Sequence, residues 1–541
     1  MNQLLDRFER LKITWFDVSA VIAISMILAF IRVREQLPQL YPDEFLYVSA
    51  IRGDNNGELP NYFYTMLYKP TALCGNAFYE CTRGLNVLFF GVLLVLTFLI
   101  ARKLVLLPYA LLFVAFIGLG PLSGFTTLLT PEMLFFVLTF AVIAMFLYFD
   151  SATLSFWLIQ ALLNSLMLLT KPHGVFVTLG LVGYLVYLGI RSKRFRFYSL
   201  RATSFFVGTY ALVVLIRFGL SGNFGLNPLG ARYSGAVIRS GETLAGTPST
   251  LDSSYFEPLN LLWSFVQQLV SHTSIGLAMV SVGLLFYVIH TLKTADDSAE
   301  LAFVFVLGSL IVGTALFSSV SVFWNELLQI RLMPRYYEHV LLLAPIFFLR
   351  KNVFPDKWRY LAASVFIIVV LVVIQDRYII FPFDSYFLGI WVSLKLPLAV
   401  IALPSLVIGL LLFKSKELAK LATVGSLLLL IILFNFHYQL SARQFSATPQ
   451  VVLDTYELRD FLSNASDKTL FLASDQNDYN RVKFWIPDGS TTFMNDKLLT
   501  EEDLATYSQE YDVIVILEST EIESGIDATP MNASFSLIVT S

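Results

Sequence analysis

Apolar residues run along this chain in blocks of about twenty, the length a helix needs to cross the hydrocarbon core of a bilayer. Thirteen segments have this character, over 16–32, 85–101, 104–122, 133–149, 153–170, 175–190, 202–220, 273–292, 300–321, 338–349, 360–376, 396–413 and 421–437. The tenth is short. Only Lys171-Pro172-His173-Gly174 separates the fifth from the sixth, a tight reversal at the membrane edge. From about Ser441 the pattern changes: Asp and Glu become frequent and apolar runs shrink to strand length. There Thr469–Ser474, Asp512–Leu517 and Phe535–Thr540 read as buried strands, and Asp454–Leu462 and Glu501–Tyr507 as helices. The pattern predicts an α-helical polytopic membrane domain over 1–440 and a small α/β domain over 441–541.

Composition supports that division. Hydrophobic residues make up 56% of the 541, charged residues 14%, and the mean hydropathy is +0.69. A water-facing globule carries about 25% charged residues, so lipid replaces water over most of this surface. The first apolar stretch lacks a small-residue cleavage site and reads as a retained helix. A net charge of −3, with no basic run interleaved with aromatics, argues against nucleic acid as a partner. Lys and Arg concentrate in the segments that face the cytoplasm if the N-terminus lies inside, Arg191-Ser192-Lys193-Arg194-Phe195-Arg196 above all. An odd number of spans then puts the C-terminal domain outside. The two cysteines, Cys74 and Cys81, either form a disulfide in an oxidising compartment or are two small apolar residues on a helix. They have no metal-ligand spacing.

Five polar clusters fall on the expected outer face. Tyr41-Pro42-Asp43-Glu44-Phe45-Leu46-Tyr47 follows the first span, and a carboxylate near a helix start is favoured electrostatically, whether as cap or as base. Asn61–Pro70 alternates aromatics up to Lys69 and is followed by Glu80 and Arg83; it reads as an interfacial helix. Glu132 follows Pro131 at the opening of a span, a common capping arrangement. Lys171 and His173 flank the tight reversal. Arg335 and Tyr336 belong to Arg331-Leu332-Met333-Pro334-Arg335-Tyr336-Tyr337-Glu338-His339, where guanidinium groups suit a phosphate or an interfacial belt. Carboxylates and cations gathered on one membrane face suit group transfer from an anionic lipid donor, the carboxylate as base and the cations on the departing phosphate.

The order of these motifs resembles the GT-C membrane glycosyltransferases, specifically the branch holding the aminoarabinose transferase of lipid A and the protein O-mannosyltransferases. Pro42-Asp43-Glu44-Phe45-Leu46-Tyr47, Lys69-Pro70, Arg83, Glu132 and Arg335-Tyr336 carry the likeness. The chain departs from it at Tyr68, where the family often has an acidic residue, and at Thr71, where a second proline usually stands. The resemblance implies about thirteen spans with an outer C-terminal domain. It also implies inverting transfer of a sugar from a polyprenyl-phosphate carrier to a hydroxyl of a cell-envelope acceptor, at the outer face of the cell inner membrane. Asp43 would be the general base and Glu44 its orienting neighbour or a second acceptor contact. Lys69, Arg83, Arg335 and Tyr336 would bind the donor phosphate, with Glu132, Lys171 and His173 as further site members. No cofactor or metal is called for, since lysine and arginine can supply the positive charge.

Two other readings share the layout. A transporter or flippase of lipid-linked sugars would carry ionisable or broken-helix features at mid-membrane, whereas Arg217, near a span end, is the main charge within these spans. An O-antigen polymerase or ligase would place arginine and histidine in one long late outer loop. The longest such loop here, about Ser221–Asn260, has Arg232 and Arg239 but no histidine.

Overall fold

A computed structural model describes residues 13–35, 42–52, 61–221, 258–294, 298–324, 330–351, 356–375, 378–379, 385, 388, 396–444, 454, 457–458, 461, 468–472, 498–517, 520–532 and 534–540. Among them, seven helices are long and apolar enough to cross a membrane: Trp15–Arg34, Phe78–Leu104, Leu107–Thr127, Gly174–Arg191, Phe195–Leu220, Ala299–Ser319 and Lys357–Ile374. Five shorter apolar helices accompany them, at Glu132–Tyr148, Leu154–Thr170, Glu338–Phe347, Leu398–Leu412 and Leu421–Phe436. The architecture is therefore mostly helical, with lipid-length apolar helices around a continuous buried core.

The segment expected as one span over 273–292 is different. A helix starts much earlier, at Pro258, runs to Val280, and turns by 104° into Gly283–Thr294. Side chains satisfy the backbone at the bend: Gly283 N donates to Ser281 Oγ at 3.0 Å and Val282 N to Ser405 Oγ at 3.2 Å. A break inside an apolar region is stable only when its polar backbone groups find partners in this way.

Glycines let two helices that carry site residues at or near their ends come close. A Cβ at Gly180 would sit 2.4 Å from Ser309 Oγ, and one at Gly313 would sit 2.2 Å from Phe176 Cγ. Small residues permit such backbone approach between apolar helices. The result locks Gly174–Arg191 against Ser298–Trp324 and brings the His173 end of the first beside Phe317 of the second, ring centroids 4.8 Å apart.

One end of the bundle gathers the basic segments. Arg201 Nη2 donates to Ala152 O at 2.9 Å, Lys103 Nζ stands 5.5 Å from the Tyr148 ring, Arg191 reaches Lys293 O, and Arg350 pairs with Glu300 at 3.1 Å. The acidic and basic residues singled out above lie at the other end.

Towards the C-terminus, strands Thr469–Leu472, Val513–Leu517 and Phe535–Val539 form within the apolar runs of strand length. The first two pair in parallel, the third is antiparallel to the second, and Thr529–Pro530 forms the edge. Leu470, Leu472, Ile514 and Ile516 point to one face, with Leu504 of helix Glu501–Tyr507 packed there. Phe471, Val515, Leu517 and Phe535 point to the other and join the core that runs through the membrane helices. The Thr500–Asp503 capping box starts the helix. The helix expected over Asp454–Leu462 lies largely outside the described residues.

Candidate active site

Three chain segments converge at the end of the bundle opposite the basic loops. Pro131 precedes Glu132, which opens helix Glu132–Tyr148. Lys171 is held extended (φ −154°, ψ 130°) because a residue before proline is disfavoured in the helical region, so the preceding helix stops at Thr170. Pro172 and His173 then lead into Gly174–Arg191. Pro334 starts the short 3-10 turn that carries Arg335 and Tyr336.

Glu132, Lys171, His173, Arg335 and Tyr336 are all buried. Glu132 Oε1 accepts a hydrogen bond from Lys171 Nζ and lies 3.9 Å from Arg335 Nη1. Arg335 Nη2 donates to Tyr336 Oη at 2.9 Å, and Lys171 Nζ stands 4.5 Å from the centroid of that tyrosine ring. His173 stacks on Tyr336. Burial, and then the cations of Lys171 and Arg335, push the His173 imidazole well below its ordinary value. The ring is neutral at physiological pH. Buried ionic groups persist only where they are paired and hydrogen-bonded, or where function requires them.

Glu44 joins this region from the helix Pro42–Arg52, whose proline occupies a favoured first-turn position. Its carboxylate accepts from Leu129 N at 2.8 Å, three residues before Glu132. Tyr64 lies within electrostatic reach of both carboxylates. Burial, then Tyr68, Glu132 and Glu44, push its phenol well above its ordinary value. The backbone of Asp43 is part of the same helix, one residue before Glu44; its side chain lies outside the described residues.

Arg83 holds the chain just before Leu129. Its Nε donates to Thr127 O and its Nη1 to Val33 O, both at 2.9 Å, and its guanidinium lies 3.7 Å from the Tyr79 ring centroid. Asn86, one turn on, donates to Thr126 O and Leu128 O. Together they fix the loop on which Glu44 and Glu132 depend. Lys69 is exposed at the start of the 3-10 segment Lys69–Ala77, and a Cys74–Cys81 disulfide closes the far side of that segment. The structure thus groups Glu132, Lys171, His173, Arg335 and Tyr336, sets Glu44 close by, and puts Lys69 at the surface.

Two residues of the site carried no assignment from sequence. His339 is buried and stacks on Phe136, centroids 4.3 Å apart, within the electrostatic reach of Lys171 and Glu132. It was visible only as the end of the Arg331–His339 run. Tyr64 looked like one more interfacial aromatic; nothing local marked it as lying within electrostatic reach of two carboxylates. Among the described residues no three His, Cys, Asp or Glu side chains converge in a way that would hold a metal ion.

No protein-family model matches the sequence, and no curated protein matches it. The fold does match solved structures. ArnT from Cupriavidus metallidurans bound to undecaprenyl phosphate superposes with a TM-score of 0.52 at 13% identity, over 97% of this chain and 98% of that one. The apo state of the same protein gives 0.50 at 12% identity over the same shares. The oligosaccharyltransferase of Archaeoglobus fulgidus aligns over 93% of this chain and 70% of that one, at 11% identity and a TM-score of 0.41. End-to-end overlap with ArnT shows that this chain shares the fold of that protein, in keeping with the resemblance that the order of its motifs carries.

Proposed function

We propose that this GT-C-fold chain transfers a sugar from a polyprenyl-phosphate-linked donor to a hydroxyl of a cell-envelope acceptor, on the extracytoplasmic face of the membrane. The observation that carries the reading is the buried constellation of Lys171, Arg335, Tyr336 and Glu132, drawn from three separate segments to one end of the bundle. Buried cations at a membrane edge are costly, and an anionic headgroup from the lipid phase is the ligand that would offset the cost.

In this reading Arg335 and Lys171 hold the donor phosphate and Tyr336 adds its hydroxyl, while Glu132 fixes the two cations in place. Asp43 takes the proton of the acceptor hydroxyl. The acceptor oxygen bonds to the anomeric carbon from the face opposite the phosphate, and the carbon–oxygen bond to phosphate breaks with its electron pair leaving on the phosphate. The configuration inverts. Cations pre-placed where charge grows stabilise that step. Glu44 orients Asp43 and secures Leu129, Arg83 braces the loop, and exposed Lys69 meets the phosphate on its approach. Protein side chains supply all the charge required, so no cofactor enters.

Three features support an N-in orientation in the cell inner membrane. The basic loops cluster at the opposite end of the bundle. The disulfide belongs to the end assigned to the oxidising side. The bent pair and the five shorter apolar helices, taken as crossings with the seven long ones, give an odd number.

The test is Asp43→Asn in membranes supplied with polyprenyl-phosphate sugar. We expect sugar transfer to fall by at least about 100-fold with expression and insertion unchanged. Transfer at the original rate would remove Asp43 from the role of base.

A further inference from the structure

We infer that the helix Pro258–Val280, through Gln268 and His272, is the positioning element for the Arg335–Tyr336 turn, and that His272 sets donor-phosphate affinity without touching the donor. This rests on the phosphate-binding role proposed for Arg335.

Gln268 and His272 are one turn apart, so they project from the same face of that helix. In the orientation that satisfies both amide atoms, Gln268 donates to Arg331 O at 3.1 Å and accepts from Arg331 N at 3.3 Å. His272 Nδ1 lies 3.2 Å from Tyr337 Oη and its Nε2 lies 3.1 Å from Ser318 Oγ. Tyr337 Oη in turn donates to His272 O at 3.3 Å. A neutral ring protonated on Nδ1 satisfies all three contacts: Nδ1–H donates to the phenol oxygen, the phenol donates to the carbonyl, and Ser318 donates to Nε2. The helix therefore grips the chain at Arg331 and again at Tyr337, on either side of Arg335. All of Gln268, His272, Ser318 and Tyr337 are buried, where hydrogen bonds hold geometry most firmly. The turn between the two grips is a single 3-10 turn with no helix of its own to stiffen it. Its register, and with it the aim of the Arg335 guanidinium, follows from the grips.

The test is equilibrium binding of undecaprenyl phosphate to the full-length protein in lipid nanodiscs, for wild type, His272→Leu, Tyr337→Phe and the double variant. Tyr337→Phe removes one hydroxyl and keeps the ring, so it retains the packing even if His272→Leu does not fold. Each single change should weaken binding about five- to tenfold, and the double should be no weaker than the worse single, because both break the same link. Additive losses, or unchanged affinity in Tyr337→Phe, would overturn the inference. Arg335→Gln is the reference: if it leaves affinity unchanged, the phosphate role itself fails, whereas a loss there with none in Tyr337→Phe rejects only the positioning helix.

Discussion

Tyr336 lies flat against His173, with 3.7 Å between ring centroids and 10° between ring planes. The stack joins the tight reversal after one helix to a turn far along the chain, and Lys171 and Arg335 approach the same tyrosine ring at 4.5 and 4.9 Å. Cation–π contacts strengthen where water is excluded, so this ring fixes both cations at once.

Tyr336→Leu removes the stack, both cation–π contacts and the acceptor of Arg335 Nη2. We expect the KM for donor to rise at least about tenfold, since each desolvated cation–π contact contributes roughly 2 kcal/mol. Tyr336→Phe keeps the ring and should show a smaller rise. Steady-state kinetics with a polyprenyl-phosphate sugar donor measure both.

Glu132→Gln leaves Lys171 and Arg335 buried without their carboxylate. Breaking a buried pair on one side costs about 3–5 kcal/mol, so thermal unfolding of the purified protein should occur at a clearly lower temperature. Lys171→Met with Glu132→Gln together should recover part of that loss, because the remaining charge is then Arg335 alone. A double variant less stable than Glu132→Gln would contradict the pairing.

Acid should weaken the fold through His173. Its folded-state value lies well below the ordinary 6.5 because the ring is buried beside two cations. As pH falls below about 6.5 the unfolded chain takes up a proton that the folded chain refuses, so the stabilisation present above that pH is progressively lost. His173→Gln should flatten this limb. Thermal unfolding from about pH 7.5 to about pH 5 in both proteins provides the comparison.

The Cys74–Cys81 disulfide closes a loop next to the segment that carries Lys69. In intact spheroplasts, a membrane-impermeant maleimide should label these cysteines only after reduction, and from the outside. Labelling only after permeabilisation would reverse the orientation proposed for this loop, and labelling without reduction would show that the disulfide does not form. Cys74→Ser should lower donor affinity modestly, about two- to fivefold, by loosening the segment behind Lys69.

How much of this was legible in sequence depends on the range of the forces involved. Apolar blocks report lipid exposure directly, so the helices appear close to where hydropathy put them, and the β-branched run Val513–Leu517 announced its strand. Polar clusters at span ends stood out because charge is rare there, which is how Glu132, Lys171, His173, Arg335 and Tyr336 drew attention, and the fold brings these five together. What stayed hidden depends on distant partners. The bend after Val280 is held at Val282 by Ser405, 123 residues from it. Arg83 reaches the carbonyls of Thr127 and Val33, 44 and 50 residues distant, contacts that no local pattern announces. Gln268 and His272 precede the apolar run over 273–292, and their contacts to Arg331 and Tyr337 lie more than sixty residues away.

The most direct measurement compares undecaprenyl phosphate with undecaprenol, which has the same tail and an uncharged head, for binding to the purified protein in nanodiscs. We expect the phosphate to bind at least about 100-fold more tightly, and Arg335→Gln to remove most of that preference, as charge-assisted bidentate contacts to phosphate demand. Equal affinity for the two lipids, or a preference untouched by Arg335→Gln, would contradict a phosphate site at the Lys171–Glu132–Arg335 constellation.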